Sequence, residues 1–251
     1  PNGQLLASGG RDEKVTIFNA SSCEIVREFS YSDEVLACDI SPDGTLLASG
    51  GLDNKVTIRD LRTGEVKAII AKAGEVRSVA FAPGGLLLAS GGTDQRVEVT
   101  ELDGSLVGAF PHADDVNGVA WAPNGQLLAS GGRDEKVTIF NASSCEIVRE
   151  FSYSDEVLAC DISPDGTLLA SGGLDNKVTI RDLRTGEVKA IIAKAGEVRS
   201  VAFAPGGLLL ASGGTDQRVE VTELDGSLVG AFPHADDVNG VAWAPNGQLL
   251  A

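Results

Sequence analysis

Short runs of apolar and β-branched residues, separated by Gly, Pro, Asp and Asn, follow one another along the whole chain. In residues 49–89 these runs are Val56–Ile58, Val66–Ile70, Val76–Phe81 and Leu86–Ala89. Apolar positions partly alternate with polar ones, as in half-buried β-strands, and helical spacing is nowhere sustained. The pattern therefore predicts four short strands in this segment and an all-β fold.

The gaps between the runs carry tight-turn sequences. Ser41–Gly44 reads Ser-Pro-Asp-Gly and Ala122–Gly125 reads Ala-Pro-Asn-Gly. Proline presets φ at the second position of a β-turn, and glycine accepts a positive φ. Antiparallel strands joined by such turns are the expected local structure.

The sequence repeats at two levels. Residues 1–122 reappear unchanged as residues 123–244, and residues 245–251 repeat residues 1–7. Each 122-residue unit divides again at Ser8, Ser49 and Ser90, which open related Ser-Gly-Gly-x-Asp sequences. The six repeats that follow are 8–48, 49–89, 90–129, 130–170, 171–211 and 212–251.

Four strands in about 40 residues is the period of a propeller blade. Six such repeats predict an all-β, six-bladed β-propeller with four-stranded antiparallel blades, occupying residues 1–251 as a single domain. A length of 251 residues fits one large all-β domain.

The repeats resemble those of the WD-repeat β-propeller family. Its pattern contains a Ser-Pro-Asp-Gly turn, Leu-Ala-Ser-Gly-Ser, an Asp, and Trp-Asp. Here Ser41–Gly44, Leu47–Gly51 and Asp53 match that pattern, and Arg59-Asp60 stands where Trp-Asp is usual. The resemblance covers all six repeats and implies a protein-interaction role.

Two positions depart from the family pattern. The Trp position holds Phe18, Arg59 or Thr100, and the Gly-His position keeps a histidine only at His112 and His234. The buried His–Ser–Asp–Trp network that the resemblance implies is therefore expected to be incomplete in every blade.

The chain begins inside a blade, because Gln4–Gly10 corresponds to a second strand. The matching innermost strand, Val238–Ala244, lies at the other end, so we expect the ring to close by pairing of the N- and C-terminal strands. Residues 1–7 and their copy, residues 245–251, cannot both occupy the strand position beside Val238–Ala244. We expect the N-terminal copy to occupy it and Leu249–Ala251 to be displaced. A closed monomer is favoured, and a strand-exchanged oligomer is the alternative.

The identity of the two halves points to a tandem duplication. The three repeats within one unit differ at many positions, yet the two units do not differ at all. Deliberate engineering of a two-fold pseudosymmetric propeller is the favoured origin, and a recent gene duplication is the alternative.

The charge and composition exclude some classes of binding partner. A net charge of −16 argues against nucleic acid and anionic membranes as partners. No apolar run reaches the length of a membrane span, and no secretion signal is visible. We expect a cytoplasmic or purely recombinant protein with free thiols. Cys38 is predicted to be a core side chain. Cys23 falls in a turn, and we expect it to be too far from its copy, Cys145, to form a disulfide.

The sequence contains no recognisable catalytic, cofactor or metal motif. The nucleophile elbow Gly-x-Ser-x-Gly and a phosphate-binding glycine loop are missing. His112 and His234 belong to different halves and are not expected to share a metal. We therefore predict no enzymatic activity, no catalytic residues, no cofactor and no metal.

One set of aspartates recurs in the Gly-x-Asp turns. A carboxylate there can accept backbone N–H bonds, so a structural role explains the set better than catalysis. These turn aspartates are Asp12, Asp53, Asp94, Asp134, Asp175 and Asp216.

A second set of acids stands just before the expected innermost strands. If they surround a channel mouth, they could hold a hydrated cation or a basic peptide, and the alternative is a set of solvated loop acids. Arg77 and Arg199 would neutralise part of the set. The acids are Glu34, Glu75, Asp115, Glu156, Glu197 and Asp237.

Two functions compete. The favoured one is a non-enzymatic structural scaffold, and the alternative is a natural interaction hub that binds a protein or peptide at the channel mouth. Hubs use exposed aromatic anchors. Trp121 and Trp243 align with core positions, which leaves only Tyr31 and Tyr153 as loop aromatics.

Overall fold

A computed structural model describes residues 3–248 and 250–251 of the chain. These residues contain strands, turns and bends and no helix, so the all-β prediction is confirmed. None of them forms a helix that could cross a membrane. The structure divides between Val119 and Ala120 into two compact units.

The first unit contains three antiparallel sheets, which correspond to three expected blades. The first sheet has three strands and the next two have four, each in chain order. The strands are β1 Leu5–Gly9, β2 Lys14–Asn19, β3 Ile25–Ser30; β4 Val35–Ile40, β5 Leu46–Gly51, β6 Lys55–Asp60, β7 Val66–Ala71; β8 Val76–Phe81, β9 Leu87–Gly92, β10 Arg96–Glu101, β11 Leu106–Pro111.

Three further four-stranded sheets follow, and the first strand of this series begins before the unit boundary. Six antiparallel sheets thus match the six predicted blades. The strands are β12 Val116–Trp121, β13 Leu127–Gly132, β14 Lys136–Asn141, β15 Glu146–Ser152; β16 Val157–Ile162, β17 Leu168–Gly173, β18 Lys177–Asp182, β19 Val188–Ala193; β20 Val198–Phe203, β21 Leu209–Gly214, β22 Arg218–Glu223, β23 Leu228–Pro233.

The predicted turns join first strands to second strands. Ser41 Oγ donates to Asp43 Oδ1 at 2.6 Å, and the same carboxylate oxygen accepts the Thr45 N–H at 3.0 Å. These bonds lower the pKa of Asp43. Gly44 closes the turn with φ +76°, a conformation that favours glycine.

Each core cluster is formed by the facing sides of successive sheets. In the first unit, Val56 and Ile58 of one sheet are buried with Val76, Val79 and Phe81 of the next. Apolar burial between sheets is the main stabilising contribution of this arrangement.

The Gly-Gly pair at the end of each second strand permits this packing. A Cβ on Gly50 would collide with the Val76 side chain of the next sheet, and one on Gly51 would collide with the Glu34 carbonyl oxygen of its own sheet. Two adjacent positions without side chains are therefore required where the following sheet and the preceding loop approach the backbone.

The C-terminal segment differs from the expectation. In place of pairing with the N-terminal strand, Ala242 exchanges both backbone hydrogen bonds with Ala251, at 2.8 and 2.9 Å, and Trp243 bridges Leu250. The prediction that the N-terminal copy would take this place and displace the copy at the C-terminus is wrong for Leu250 and Ala251. Leu249 lies outside the described residues.

The local turn explains this result. Gly247 has φ +68° and donates its N–H to the Ala244 carbonyl at 2.8 Å, so residues 242–251 form a short hairpin. Closing a short hairpin requires less loop entropy than recruiting a strand from the other end of the chain. Among the described residues, residues 242–243 thus pair locally with residues 250–251, and the first sheet has the three strands β1–β3.

Candidate functional site

The second acid set lies in the loops that immediately precede the first strands, which we call the acidic loops. Their backbone is fixed by the Gly-Gly turns: the Glu34 carbonyl accepts the Leu52 N–H at 3.0 Å, and the Glu75 carbonyl accepts the Thr93 N–H at 3.1 Å. Glu156 and Glu197 accept equivalent bonds. The carboxylates thus project from backbone held by their own blade.

β-Bulges determine where the neighbouring side chains point. The pairing of β8 with β9 shifts between Val76 and Ser78, which leaves Arg77 as the extra residue. The same shift in β20 leaves Arg199 unpaired in the ladder. A bulge redirects a side chain away from the regular alternation, and here it directs an arginine towards the acidic loops.

Arg77 joins two successive acidic loops. Its Nη1 lies 3.0 Å from Asp115 Oδ2 and donates to Asn117 Oδ1 at 3.0 Å, while its Nη2 lies 3.5 Å from Glu75 Oε2. The guanidinium is shared between two carboxylates, so this group carries a net negative charge.

The second half repeats the group. Arg199 lies 3.0 Å from Asp237, 3.5 Å from Glu197 and 2.8 Å from Asn239 Oδ1. In each half the structure therefore brings the arginine together with two of the three acids: Arg77 with Glu75 and Asp115, and Arg199 with Glu197 and Asp237.

The remaining two acids have different arginine partners. Glu34 lies 3.8 Å from Arg11, and Glu156 lies 3.1 Å from Arg133. Both arginines follow the Gly-Gly pair of the preceding blade, and sequence reasoning did not select them. No group of three or more His, Cys, Asp or Glu side chains in the described part of the chain is arranged to hold a metal ion.

The turn aspartates Asp53, Asp175 and Asp216 accept backbone N–H bonds within their turns. Asp53 accepts the Lys55 N–H at 3.2 Å and the Ser32 hydroxyl at 3.2 Å. Asp175 and Asp216 accept backbone bonds of the same kind. The residue after each aspartate is left-handed, as at Asn54 with φ +59°. These carboxylates hold the turn between second and third strands.

Tyr31 and Tyr153 are not the exposed loop aromatics that the sequence suggested. Both pack against core clusters. Ser49 Oγ donates to the Tyr31 hydroxyl at 2.7 Å, and the Arg59 guanidinium lies 5.4 Å from the Tyr31 ring centroid. Tyr31 takes the place of the family's histidine and Arg59 that of its tryptophan.

The next sheet uses a different pair at the same place. Lys72, aligned with Tyr31, donates to Glu98 Oε2 at 2.5 Å, and its side chain is only 4% exposed. Lys194 and Glu220 repeat the pair at 2.6 Å. The expected gaps in the family network are thus filled by other polar partners, which a search for the family's own residue types could not find.

Two half-buried aspartates connect successive sheets. Asp39 Oδ2 accepts the Phe81 N–H at 2.8 Å, and Asp161 accepts the Phe203 N–H at 2.7 Å. Burial raises the pKa of each carboxyl to about 6.

The thiols divide into an exposed and a buried pair. All four are free, and Cys23 and Cys145 are exposed. Cys38 is half-buried and Cys160 is buried. Burial raises the pKa of Cys38 to about 11 and that of Cys160 to about 12, so both remain protonated at neutral pH.

The second unit also has an apolar cleft of about 560 Å³ between its last sheet and the C-terminal hairpin. Val221, Phe232, His234, Trp243 and Leu250 line it. Trp243 donates through Nε1 to the Ala202 carbonyl at 3.0 Å. The predicted core position holds for Trp121, whereas Trp243 is only half-buried.

Comparison with known protein families agrees with the repeat structure. The WD domain, G-beta repeat, matches residues 23–60, 145–182, 187–221 and 226–251, which together exceed half of the chain. The WD40 domain of anaphase-promoting complex subunit 4 matches residues 79–162. A search of curated proteins found no match. With its four-stranded sheets and turn sequences, the chain belongs to the WD-repeat family.

Proposed function

We propose that the chain is a non-enzymatic scaffold that presents two copies of one surface. The observation that carries this is the engagement of its polar side chains in the fold: Ser49 bonds Tyr31, Asp53 bonds its turn and Lys72 bonds Glu98. A catalytic group has to be available to a substrate, and these groups are used between strands. WD-repeat propellers serve as scaffolds and in protein interactions, which supports the proposal.

The identity of residues 1–122 and 123–244 supports a tandem duplication as the origin of the paired surfaces. We favour deliberate engineering because two natural copies accumulate differences with time. In such a scaffold any partner that recognises one half should also recognise the other.

A turnover assay tests the scaffold function. We expect no hydrolysis of generic ester, phosphate or peptide substrates above the rate given by the heat-denatured protein. Turnover that disappears in the Ser49→Ala/Ser171→Ala variant would contradict the proposal, provided that the variant remains folded by circular dichroism.

A more specific candidate is recognition of a basic protein segment by the acidic loops. Arg77 holds Glu75 and Asp115 in place and leaves the group net negative, with the Glu75 side chain accessible at the surface. Preorganised acids of this kind favour Lys- and Arg-rich partners and disfavour nucleic acid and anionic lipid.

Calorimetry with a Lys/Arg-rich peptide tests this candidate. We expect binding that weakens with salt and weakens further in Glu75→Gln/Glu197→Gln. The matched control is Glu65→Gln/Glu187→Gln, which removes exposed acids that immediately precede the outer strands β7 and β19. Equal weakening in both variants would mean that the peptide responds to overall charge and not to the acidic loops.

A further inference from the structure

Two arginines from successive sheets meet at the turn between β6 and β7. The guanidinium carbon of Arg59 lies 5.2 Å from the centroid of the Phe29 ring, and that of Arg27 lies 6.0 Å from it. Arg59 Nη1 donates to the Gly64 carbonyl at 3.4 Å, and Arg27 Nη1 would lie 2.6 Å from a Cβ placed on Gly64. Both guanidinium groups therefore lie beside the same turn residue.

The second half repeats this arrangement at the turn between β18 and β19. Arg181 lies 5.3 Å from the centroid of the Phe151 ring and donates to the Gly186 carbonyl at 3.4 Å. Arg149 Nη1 donates to the Thr185 carbonyl at 3.1 Å and would lie 3.0 Å from a Cβ on Gly186. We call Arg27 with Arg59, and Arg149 with Arg181, the arginine pairs.

The arginine pairs make no ion pair with any of the residues that the structure describes. The acid of the first turn, Asp60, accepts the Thr63 N–H at 2.7 Å. Two neighbouring guanidinium groups repel each other, and they stay uncompensated in a chain that has 36 acidic residues. Five other arginines, in contrast, lie 3.9 Å or less from a carboxylate oxygen: Arg11, Arg77, Arg96, Arg133 and Arg199.

One arginine of each pair also has unused hydrogen-bonding capacity. Arg59 Nε and Arg181 Nε are buried and have no hydrogen-bond partner. A guanidinium presents its N–H donors as a planar fork that matches the oxygens of an oxyanion, and a buried donor without an acceptor is unfavourable. Each pair is thus a doubly positive group that is held by aromatic stacking and lacks an acceptor of matching charge.

The fold does not need arginines at this kind of turn. At the next such turn, between β10 and β11, a Cβ on Gly104 would have only Ile70 within 4 Å. The two arginine positions hold small residues there, namely Ala68 in place of Arg27 and Thr100 in place of Arg59. The arginine pairs are therefore an addition to the turn and not a condition for forming it.

We propose that each arginine pair binds a phosphate group, which gives the chain two oxyanion sites. A phosphate dianion matches the two positive charges of a pair, and its oxygens can accept N–H bonds from both guanidinium groups. A carboxylate would leave one of the two charges uncompensated. Residues 49–89 contain six basic and four acidic residues, so the sequence around the first site is positive although the whole chain carries −16.

Calorimetric titration with inorganic phosphate tests the proposal, in about 0.1 M salt so that distant carboxylates are screened. We expect two phosphate ions per wild-type chain and about tenfold weaker binding in Arg27→Gln/Arg149→Gln. Arg27 is changed because Arg59 stacks on two rings and supports the fold. The matched control is Arg62→Gln/Arg184→Gln, which removes exposed arginines from the same turns and should bind phosphate like the wild type.

Two results would overturn the proposal: no saturable phosphate binding by the wild-type protein, or equal weakening in both variants while circular dichroism shows both to be folded. A phosphoserine peptide and its unphosphorylated form identify the source of the phosphate. Tighter binding of the phosphopeptide than of free phosphate, lost in Arg27→Gln/Arg149→Gln, would assign the sites to a phosphorylated protein. Equal binding of the two would assign them to the free ion. The acidic loops have no part in this test, because their expected partner is basic.

Discussion

Ser49 Oγ and the Tyr31 hydroxyl lie 2.7 Å apart, and the Arg59 guanidinium covers the ring of the same tyrosine. Ser49 also lies 3.4 Å from the Thr57 carbonyl oxygen of its own sheet, whereas Tyr31 follows β3 of the preceding sheet, so the group spans two successive sheets. A WD-repeat blade is thereby stabilised without the family's histidine and tryptophan. The following sheet achieves the same with a buried Lys–Glu pair.

Removing the Arg59 guanidinium should destabilise the fold. Arg59→Ala loses the stacking on Phe29 and Tyr31 and the apolar contacts of its stem, and we expect about 1–2 kcal/mol less stability. Arg181→Ala should lose a similar amount, because Arg181 stacks on Phe151 and Tyr153. Urea unfolding measures both, and an unchanged midpoint in either variant would contradict the stacking role.

Breaking the buried Lys–Glu pair should have a larger effect. Lys72→Met leaves the Glu98 carboxylate without its ammonium partner, and we expect a loss of about 3–5 kcal/mol in the free energy of unfolding. Lys72→Met/Glu98→Leu should recover most of that loss, because no unpaired charge remains. If the single and double variants were equally unstable, the effect would come from packing.

The raised pKa values of Asp39 and Asp161 predict that the stability of the fold depends on pH. Because the folded-state pKa of Asp39 and Asp161 is raised to about 6, the folded protein binds protons more tightly than the unfolded chain. Their contribution to stability is complete below about pH 4 and is lost as the pH rises through 6. Unfolding between pH 4 and 7 should show this slope, and Asp39→Asn/Asp161→Asn should flatten it. A slope that survives in the double variant would assign it to other groups.

Replacing each of the two tryptophans by alanine should reduce the free energy of unfolding by different amounts. Trp121→Ala removes a side chain of a residue that is 9% exposed, and we expect a loss of about 3–5 kcal/mol. Trp243→Ala should lose less, because Trp243 borders the open cleft. Thermal unfolding of the two single variants compares them directly, and equal losses would show that the cleft is closed in solution.

Thiol labelling checks the division of the cysteines. With iodoacetamide at neutral pH, Cys23 and Cys145 should react first, since they are exposed. Cys38 and Cys160 should react slowly because burial raises their pKa and restricts access. Rapid labelling of all four thiols by mass spectrometry would contradict the packing of β4 and β16.

The strand pattern was predictable because each short apolar run is separated from the next by turn residues. The Ser41–Gly44 turn and the four strands of residues 49–89 needed only local information. The role of Tyr31 was not predictable in this way. Its environment depends on Ser49, 18 positions away, and on the unusual Arg59.

The acidic loops and the C-terminal hairpin also could not be fully predicted from local sequence. Sequence spacing identified Glu75, Arg77 and Asp115, but the bulge that directs Arg77 towards Asp115 is a property of strand register. At the C-terminus, residues 245–251 are identical in sequence to residues 1–7, so the sequence pattern alone could not predict which copy pairs with residues 242–243. The observed pairing is with residues 250–251, through the turn at Gly247.

The most direct test of the account is the number of basic peptides that one chain binds. The group around Arg77 is repeated around Arg199, so calorimetry should give two equivalent sites per chain. Glu75→Gln/Asp115→Asn should leave one site of unchanged affinity, and the matched change at Glu197 and Asp237 should do the same. A single site in the wild-type protein, or loss of all binding when one half is altered, would contradict a scaffold that presents two copies of one surface.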